Sequence, residues 1–448
     1  MIWLTLAILF CYLLILKIIN KESFFFTPIG VHAGFLAFGV VIPAVYVYRY
    51  EPVFEAGLLY LSANSRLLLC LNLALICLIL GAVTASGWGS SLVARTPLGD
   101  DVRLGKVWVV LAAAAGLTAL FFYSNAELYG TLLTQIWDTT DVFSLVQSTR
   151  VAALYGSTYA IQGVTRIAPV VILLLLAKWY TGSSRGARRL ALVLVGLDFI
   201  CLFLVGIRAT QICVLLQLGL MRNYFKPFRS FRIVLYAAAI CALLVAGTAL
   251  KFGFGFSQSE ILFSEVLTHA AERVSLGAKH LQYILALFPG ETNHRLGMTY
   301  LQDAVSLIPS PLKRNFFPQN YWVDFNGYLY QRLYSHEGGT TTDTIFGEFY
   351  ANFGFAGVVL GSFLYSFALQ RLSMAFTQQK WRQSSKIAMA IFLSYYLAQS
   401  TIEGVGETFF VAALWAALLY AFLFPGRVLQ ALSLIPARQR PEVGIGYA

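Results

Sequence analysis

Apolar residues fall in runs of about 20 along most of the chain, broken by short polar stretches, and runs of that length cross a hydrocarbon core of about 30 Å as helices. Eleven spans are expected, near residues 2–16, 29–48, 67–88, 107–124, 160–178, 190–207, 210–225, 232–250, 349–370, 387–401 and 408–424. The fold expected is an all-α polytopic membrane protein with about 11 transmembrane helices and a large, partly helical extracytoplasmic loop. Helices 1 to 8 occupy residues 1–250, the loop domain or lid 251–346, helices 9 to 11 residues 347–426, and a cytoplasmic tail 427–448.

The charges orient this plan. Lys and Arg gather in alternate breaks, at Lys17 and Lys21, Arg95 to Lys106, Lys178 to Arg189, Arg222 to Arg232, Arg371 to Lys386, and Arg427 to Arg440, which together hold 20 of the 32 basic residues. The positive-inside rule makes these breaks cytoplasmic, with the N-terminus outside and the C-terminus inside. On that topology 16 of the 21 acids fall outside. Of the 448 residues 58% are hydrophobic and 12% charged, about half the charged share of a soluble domain, which excludes one. The net charge of +11 is scattered in short clusters rather than one stripe, so a nucleic-acid partner is not expected. The first span has Lys17 and Lys21 after it and no basic residue before it, the reverse of a secretory signal, so it is expected to remain as a helix. The six cysteines form no CxxC pair, and no phosphate-binding GxxxxGK[ST] loop is present. Neither a metal nor another cofactor is expected.

The polar chemistry collects on the outer side. Arg208, in Gly206-Ile207-Arg208-Ala209-Thr210, lies between two apolar runs with almost no loop, where an arginine is costly unless it meets water, a headgroup or an anion. It reads either as an interfacial arginine snorkelling to lipid phosphates or as an anion clamp. Arg166 stands at the outer end of a span and reads as an end-of-helix cation or as part of the same clamp. Arg273 lies in the long loop, one helical turn after His269 and two after Glu265; with Arg166 and Arg208 it would make a guanidinium cluster suited to a diphosphate. Residues 260–288 read as one or two amphipathic helices, and the loop, aromatic through Tyr321 and Trp322, as a lid on the membrane surface.

Gly338-Gly339-Thr340 leads through Asp343 into the ninth span. Asp343 reads as a helix cap or a site acid, and Glu348 as a helix-end acid or an acid entering the membrane with a function. Glu403 closes the tenth span and reads as a cavity acid, whereas Glu407 reads as a solvated turn acid. His336 and the other histidines lack metal-ligand spacing. Asp198, mid-span, reads as a buried hydrogen-bonding group or a proton-coupled one.

Together these residues resemble the Wzy-type bacterial polysaccharide repeat-unit polymerases, such as the O-antigen and enterobacterial-common-antigen polymerases, and more broadly the GT-C-like glycosyltransferases. The likeness lies in the plan of spans with a late outer loop and in short stretches of sequence. Arg208 and Gly219 are spaced as in the family's RX10G pattern, within Gly206-Ile207-Arg208-Ala209. Leu307-Ile308-Pro309-Ser310 with Phe316-Phe317-Pro318, Thr344-Ile345-Phe346-Gly347-Glu348-Phe349-Tyr350, and Glu403-Gly404 resemble later family segments. No second RX10G falls on Arg295, because Ser306 stands where the glycine would.

The resemblance implies transfer of glycan between undecaprenyl-diphosphate-linked oligosaccharides on the outer face of the bacterial inner membrane, yielding O-antigen, capsule or a related glycan. It implies Arg166, Arg208 and Arg273 on diphosphate, Glu348 or Glu403 as base with Asp343 and His336 as further candidates, and Tyr321 and Trp322 against sugar rings. Membrane lipids, a chain-length regulator and a flippase are its expected partners. An O-antigen ligase shares the general plan and stays open as an alternative, as does a lipid-linked oligosaccharide flippase or secondary transporter.

Overall fold

The computed structural model describes residues 1–50, 61–88, 98–135, 161–182, 184–205, 208–228, 276–306, 308, 315–317, 325–334 and 342–425. Among these, every regular element is a helix, apart from an isolated bridge between Gly99 and Gln383. In chain order they are α1 (Ile2–Asn20), α2 (Pro28–Phe35), α3 (Ile42–Tyr50), α4 (Leu61–Gly87), α5 (Leu104–Ser124), α6 (Ala126–Gln135), α7 (Ala168–Gly182), α8 (Arg185–Val205), α9 (Arg208–Phe225), α10 (276–287), α11 (Met298–Ser306), α12 (Phe325–Tyr334), α13 (Thr344–Thr377), α14 (Ser384–Glu403) and α15 (Val411–Leu423). Helix therefore covers each expected span except that near 232–250, which lies outside the described residues.

Among the described residues, six stretches are long and apolar enough to cross a membrane: Ile2–Asn20, Pro28–Arg49, Ser65–Gly87, Leu104–Ser124, Gly163–Gly182 and Thr344–Thr377. The protein is an all-α membrane protein. Its outward apolar side chains, such as Trp3, Phe10, Leu80, Val109 and Ile200, are large and exposed, as lipid-facing positions are.

The bundle centres on α13, whose most extensive packing is against α4. Gly81 of α4 lies so close to the Phe363 carbonyl that a Cβ there would collide with it, and the Ser366 hydroxyl donates to the Leu78 carbonyl at 2.7 Å. Small residues let membrane helices approach, and the hydroxyl adds a bond only such proximity allows.

The basic breaks meet at one end of this bundle. The Arg371 guanidinium donates to the Trp88 carbonyl at 2.6 Å, Gly99 N–H to the Arg382 carbonyl at 2.9 Å, and the Gln379 amide to the Tyr224 carbonyl at 2.8 Å. Asn223 donates to the Phe26 carbonyl at 2.9 Å, and Lys106 to the Leu423 carbonyl at 2.7 Å. Lys178 pairs with Asp100. Asp101 accepts from the backbone N–H (2.9 Å) and the hydroxyl of Ser385, satisfying the start of α14.

A straight helix of α13's 34 residues would be about 51 Å long, far beyond a hydrocarbon core of about 30 Å. It is broken at Phe353 (φ −137°) and Gly354 (φ 61°, ψ −151°). The break leaves the Ala351 and Asn352 carbonyls without helical partners, and the N–H groups of Arg295 and Leu296 fill both at 2.9 Å. The segment before the break, 344–352, is almost wholly buried, and the longer segment after it, 355–377, forms the span.

Helix α10 differs from expectation. Instead of lying on a surface as part of a lid, it is packed into the main core through Ala278, Leu281, Ile284 and Leu285. Its Gly277 lies beside the Gly39 carbonyl and Thr344, where an added Cβ would be at ordinary contact distance.

Candidate functional site

Helix α14 carries its cap of Asp101 at the basic end and Glu403 at the other. Beyond Glu403 the chain turns through Gly404-Val405-Gly406 into a π-helical turn, Gly406–Phe410, and then α15. The three turn residues are met one by one by carboxylates from three other places. Asp343, before α13, lies against Gly404, where a Cβ would stand 2.5 Å from its Oδ1. Glu348, in the buried half of α13, accepts the Val405 N–H at 2.7 Å. Asp303, in α11, lies against Gly406 so closely that no side chain fits there. Gly404 has φ 75° and ψ 171°, a conformation essentially reserved to glycine.

Glu348 and Asp303 are themselves fixed. The Thr299 hydroxyl reaches Glu348 Oε1 at 3.5 Å and accepts from the Asn352 amide at 2.5 Å; Asn352 also donates to the Glu348 carbonyl at 3.0 Å and accepts the Gly297 N–H at 2.9 Å. Asp303 accepts the Phe325 N–H at 3.1 Å. Asp343 does not cap α13, contrary to one of its expected roles. The Thr344 hydroxyl accepts the Gly347 N–H at 3.2 Å instead, from a backbone at φ 56° that β-branched residues rarely adopt. With Thr344 serving the helix start, the Asp343 carboxylate lies against the turn at Gly404.

Glu403 is in a different setting. It is partly exposed, and both donors that hold it, the Gln399 amide at 2.7 Å and the Thr408 hydroxyl at 3.1 Å, bond the same oxygen, Oε2. The charge of Arg166 acts on it, although the two are not ion-paired. Arg166 stacks its guanidinium over the Tyr396 ring at 4.4 Å from the centroid and is also partly exposed. Its position follows from the π-helical turn Gly163–Ile167 and from Pro169: lacking an N–H, Pro169 leaves the Thr165 carbonyl free, and the Tyr396 hydroxyl takes it at 3.5 Å.

Of the residues expected at a site, the structure brings together Glu403, Glu348, Asp343 and Arg166. Arg208 begins α9, but its side chain lies outside the described residues, as do Arg273, His336, Tyr321 and Trp322 altogether. Helix α9 packs on α14 through Cys213 and Gln399, with Cys213 Sγ 3.6 Å from Gln399 Oε1. Sequence reasoning missed Asp303. Its signal was faint: an acid one turn after Thr299 in a short polar segment. The buried Asp198, one of whose expected roles was a hydrogen bond to a neighbouring helix, has no such partner for either carboxyl oxygen among the described residues.

Outside the spans, His280 of α10 is 4% exposed, and its Nδ1 lies 3.2 Å from the Thr342 N–H, next to Asp343. Burial pushes its pKa down to about 4, against a weaker upward pull from the Thr342 backbone. The imidazole is therefore neutral at pH 7, and its Nδ1 meets both the carbonyl (3.1 Å) and the N–H (3.2 Å) of Thr342, donating or accepting according to the tautomer.

Compared with family models, with curated proteins and with solved structures, the chain finds no match in any of the three. The site must be read from its own geometry.

Proposed function

We propose that the protein is an integral-membrane glycosyltransferase that polymerises undecaprenyl-diphosphate-linked oligosaccharide repeat units on the outer face of the bacterial inner membrane. The observation that carries this reading is the partly exposed Arg166 guanidinium beside the partly exposed Glu403 carboxylate, at the end of the bundle opposite its basic breaks. By the positive-inside rule that end is outside, which accords with eleven spans, an outer N-terminus and a cytoplasmic C-terminus.

A glycan carried on diphosphate already has a good leaving group. The chain must then stabilise the charge that develops on the departing diphosphate and remove a proton from the attacking hydroxyl. Arg166 supplies a fixed, always-charged fork for the first task, and Arg208, at the start of α9, is placed in the chain to add a second. Glu403 supplies the base: its Oε2 is held, leaving Oε1 for the acceptor hydroxyl. Glu348 is buried and bonded to Val405, so its work is to set the turn after Glu403. Asp343 and Asp303 act likewise.

The test is the surface polysaccharide profile of a strain deleted for this gene and complemented with wild type, Arg166→Ala or Glu403→Gln. Wild type restores a polymer ladder, and each variant leaves single repeat units. Loss of all attached glycan with lipid-linked polymer accumulating would make the protein a ligase; a ladder unchanged by deletion would return it to transport.

A further inference from the structure

Gln399 stands one turn before Glu403 in α14, on the same face of the helix, so the two side chains meet at i and i+4. Its Nε2 donates to Glu403 Oε2 at 2.7 Å, and the Thr408 hydroxyl, from the π-helical turn beyond, donates to the same atom at 3.1 Å. Gln399 is 5% exposed and Thr408 2%, whereas Glu403 is partly exposed. Both donors therefore stand on the dry side of the carboxylate, where water does not compete with them and a hydrogen bond to a charged acceptor is strengthened. Besides the charge of Arg166, they are what favours the ionised form of Glu403.

A carboxamide fits its pocket in either of two senses, and only one of them serves a carboxylate: the NH2 end attracts it and the carbonyl end repels it. The sense is set from another helix. Cys213 of α9 is buried, and its Sγ donates to Gln399 Oε1 at 3.6 Å. The reversed amide would put its oxygen against Glu403 and its NH2 against the thiol, giving up both bonds where no water replaces them. Cys213 comes five residues after Arg208, so the same contact ties Glu403 to the helix that begins with that arginine.

We infer that Gln399, keyed by the Cys213 thiol, is the positioning residue of the base: it holds Glu403 Oε2 against the bundle so that Oε1 is presented to the acceptor hydroxyl. This rests on the reading of Glu403 as the base of a polymerase. Neither Gln399 nor Cys213 touches substrate. Their part is to fix which oxygen of Glu403 is free, and to keep it ionised until the hydroxyl gives up its proton.

Two measurements on the full chain in nanodiscs test this. The first needs no turnover: the S–H stretching band of Cys213, identified by its loss in Cys213→Ala, should move to higher frequency in Gln399→Met, where the acceptor is gone and the side-chain length is kept. A band that stays in place overturns the inference. The second is the rate of polymerisation against substrate and against pH. Gln399→Met should lower kcat by about ten-fold to a hundred-fold with KM unchanged, and should move the acid limb of the rate profile up by about one pH unit, because a carboxylate that loses a donor ionises less readily. Cys213→Ala, a small change that leaves the packing of α9 nearly intact, should move both in the same direction by less, and Cys213→Ser, which restores a donor, should bring both back. A Gln399→Met protein that loses rate with its acid limb unmoved would mark the residue as packing only and overturn the inference, as would one with wild-type kcat and profile; in either case the polymerase reading stands. A polymer ladder unchanged by deletion of the gene would instead strike the polymerase reading, and the positioning role would fall with it even where the S–H band had moved.

Discussion

Glutamine in place of Glu348 and of Glu403, one at a time, separates an acid that holds a turn from an acid that moves a proton. In Glu348→Gln the side-chain oxygen still accepts the Val405 N–H, now at 2.7 Å from a neutral partner, and Thr299 turns its hydroxyl to suit. Replacing charge-assisted by neutral hydrogen bonds at these two donors costs about 1–2 kcal/mol, and the neighbouring Asn352 and Asp303 anchors stay in place. The expected result is a lower thermal stability in detergent and a polymerisation rate reduced by less than about ten-fold, through a less populated turn. Glu403→Gln keeps both of its bonds to Gln399 and Thr408, so stability should hold, while loss of a general base lowers the rate by about 10²–10⁴-fold. Reconstituted polymerisation and unfolding midpoints measured on the same preparations decide it. A Glu348→Gln protein of wild-type stability with a rate down a hundred-fold or more, beside a Glu403→Gln protein that still turns over, would refute the assignment.

Gly404→Ala should destabilise the acidic end by about 1–3 kcal/mol from backbone strain alone, and further by displacing Asp343, which limited proteolysis near the turn would register. The pKa of His280 is lower in the folded state than in the unfolded one, so its contribution to stability is complete above about pH 6.5 and is lost as pH falls toward about 4. An unfolding midpoint followed over that window should drop with acid in wild type and less in His280→Gln. Asp101→Ala removes the cap of α14 at the basic end and should lower stability by about 0.5–2 kcal/mol, leaving the KM for lipid-linked substrate unchanged because Glu403 lies at the other end. Arg166→Lys keeps the charge but not the fork or the stacking on Tyr396, and should retain less than about a tenth of the activity at saturating substrate.

How much of the fold and the site was legible depends on the kind of signal each feature leaves. Spans are written in runs of about 20 apolar residues, so helix lies where hydropathy puts it, and short antiparallel hairpins bring the basic breaks together. Glu403 and Arg166 could be named because charges at span ends are rare. The partnering of Asp343, Glu348 and Asp303 with three successive turn residues was hidden, since they come from positions about 60 to 100 residues away and each is ordinary in its own segment. The choice between cap and site acid at Asp343 turned on the left-handed backbone of Thr344, which no sequence pattern announces. Helix α10 looked amphipathic in sequence but is buried on nearly every side, because its polar His280 is taken up by the Thr342 backbone rather than by water.

The π-helical turns show how the bundle aims these groups. There are three among the described residues, Leu36–Val41, Gly163–Ile167 and Gly406–Phe410, and all border the last turns of α14: a Cβ on Gly39 would strike Ile402, Arg166 reaches Tyr396, and the third comes just after Glu403. Each contains a bond that skips five residues, from Ile42 to Ala37, Ala168 to Gly163 and Phe410 to Val405. One extra residue in a turn rotates the preceding segment by about 100° relative to a continuous α-helix. Arg166 therefore faces Tyr396 only because the turn is widened. The first two are each succeeded by a proline, Pro43 and Pro169, whose missing N–H frees a carbonyl one turn back, at Gly39 and Thr165; Gly277 passes over one and Tyr396 bonds the other. A widened turn is less stable than a regular one and persists where surrounding contacts require it, which is why such turns concentrate at working sites. Deleting one residue from Gly163–Ile167 would restore an α-helix and swing Arg166 off Tyr396, so that membrane insertion would survive and polymer formation would not.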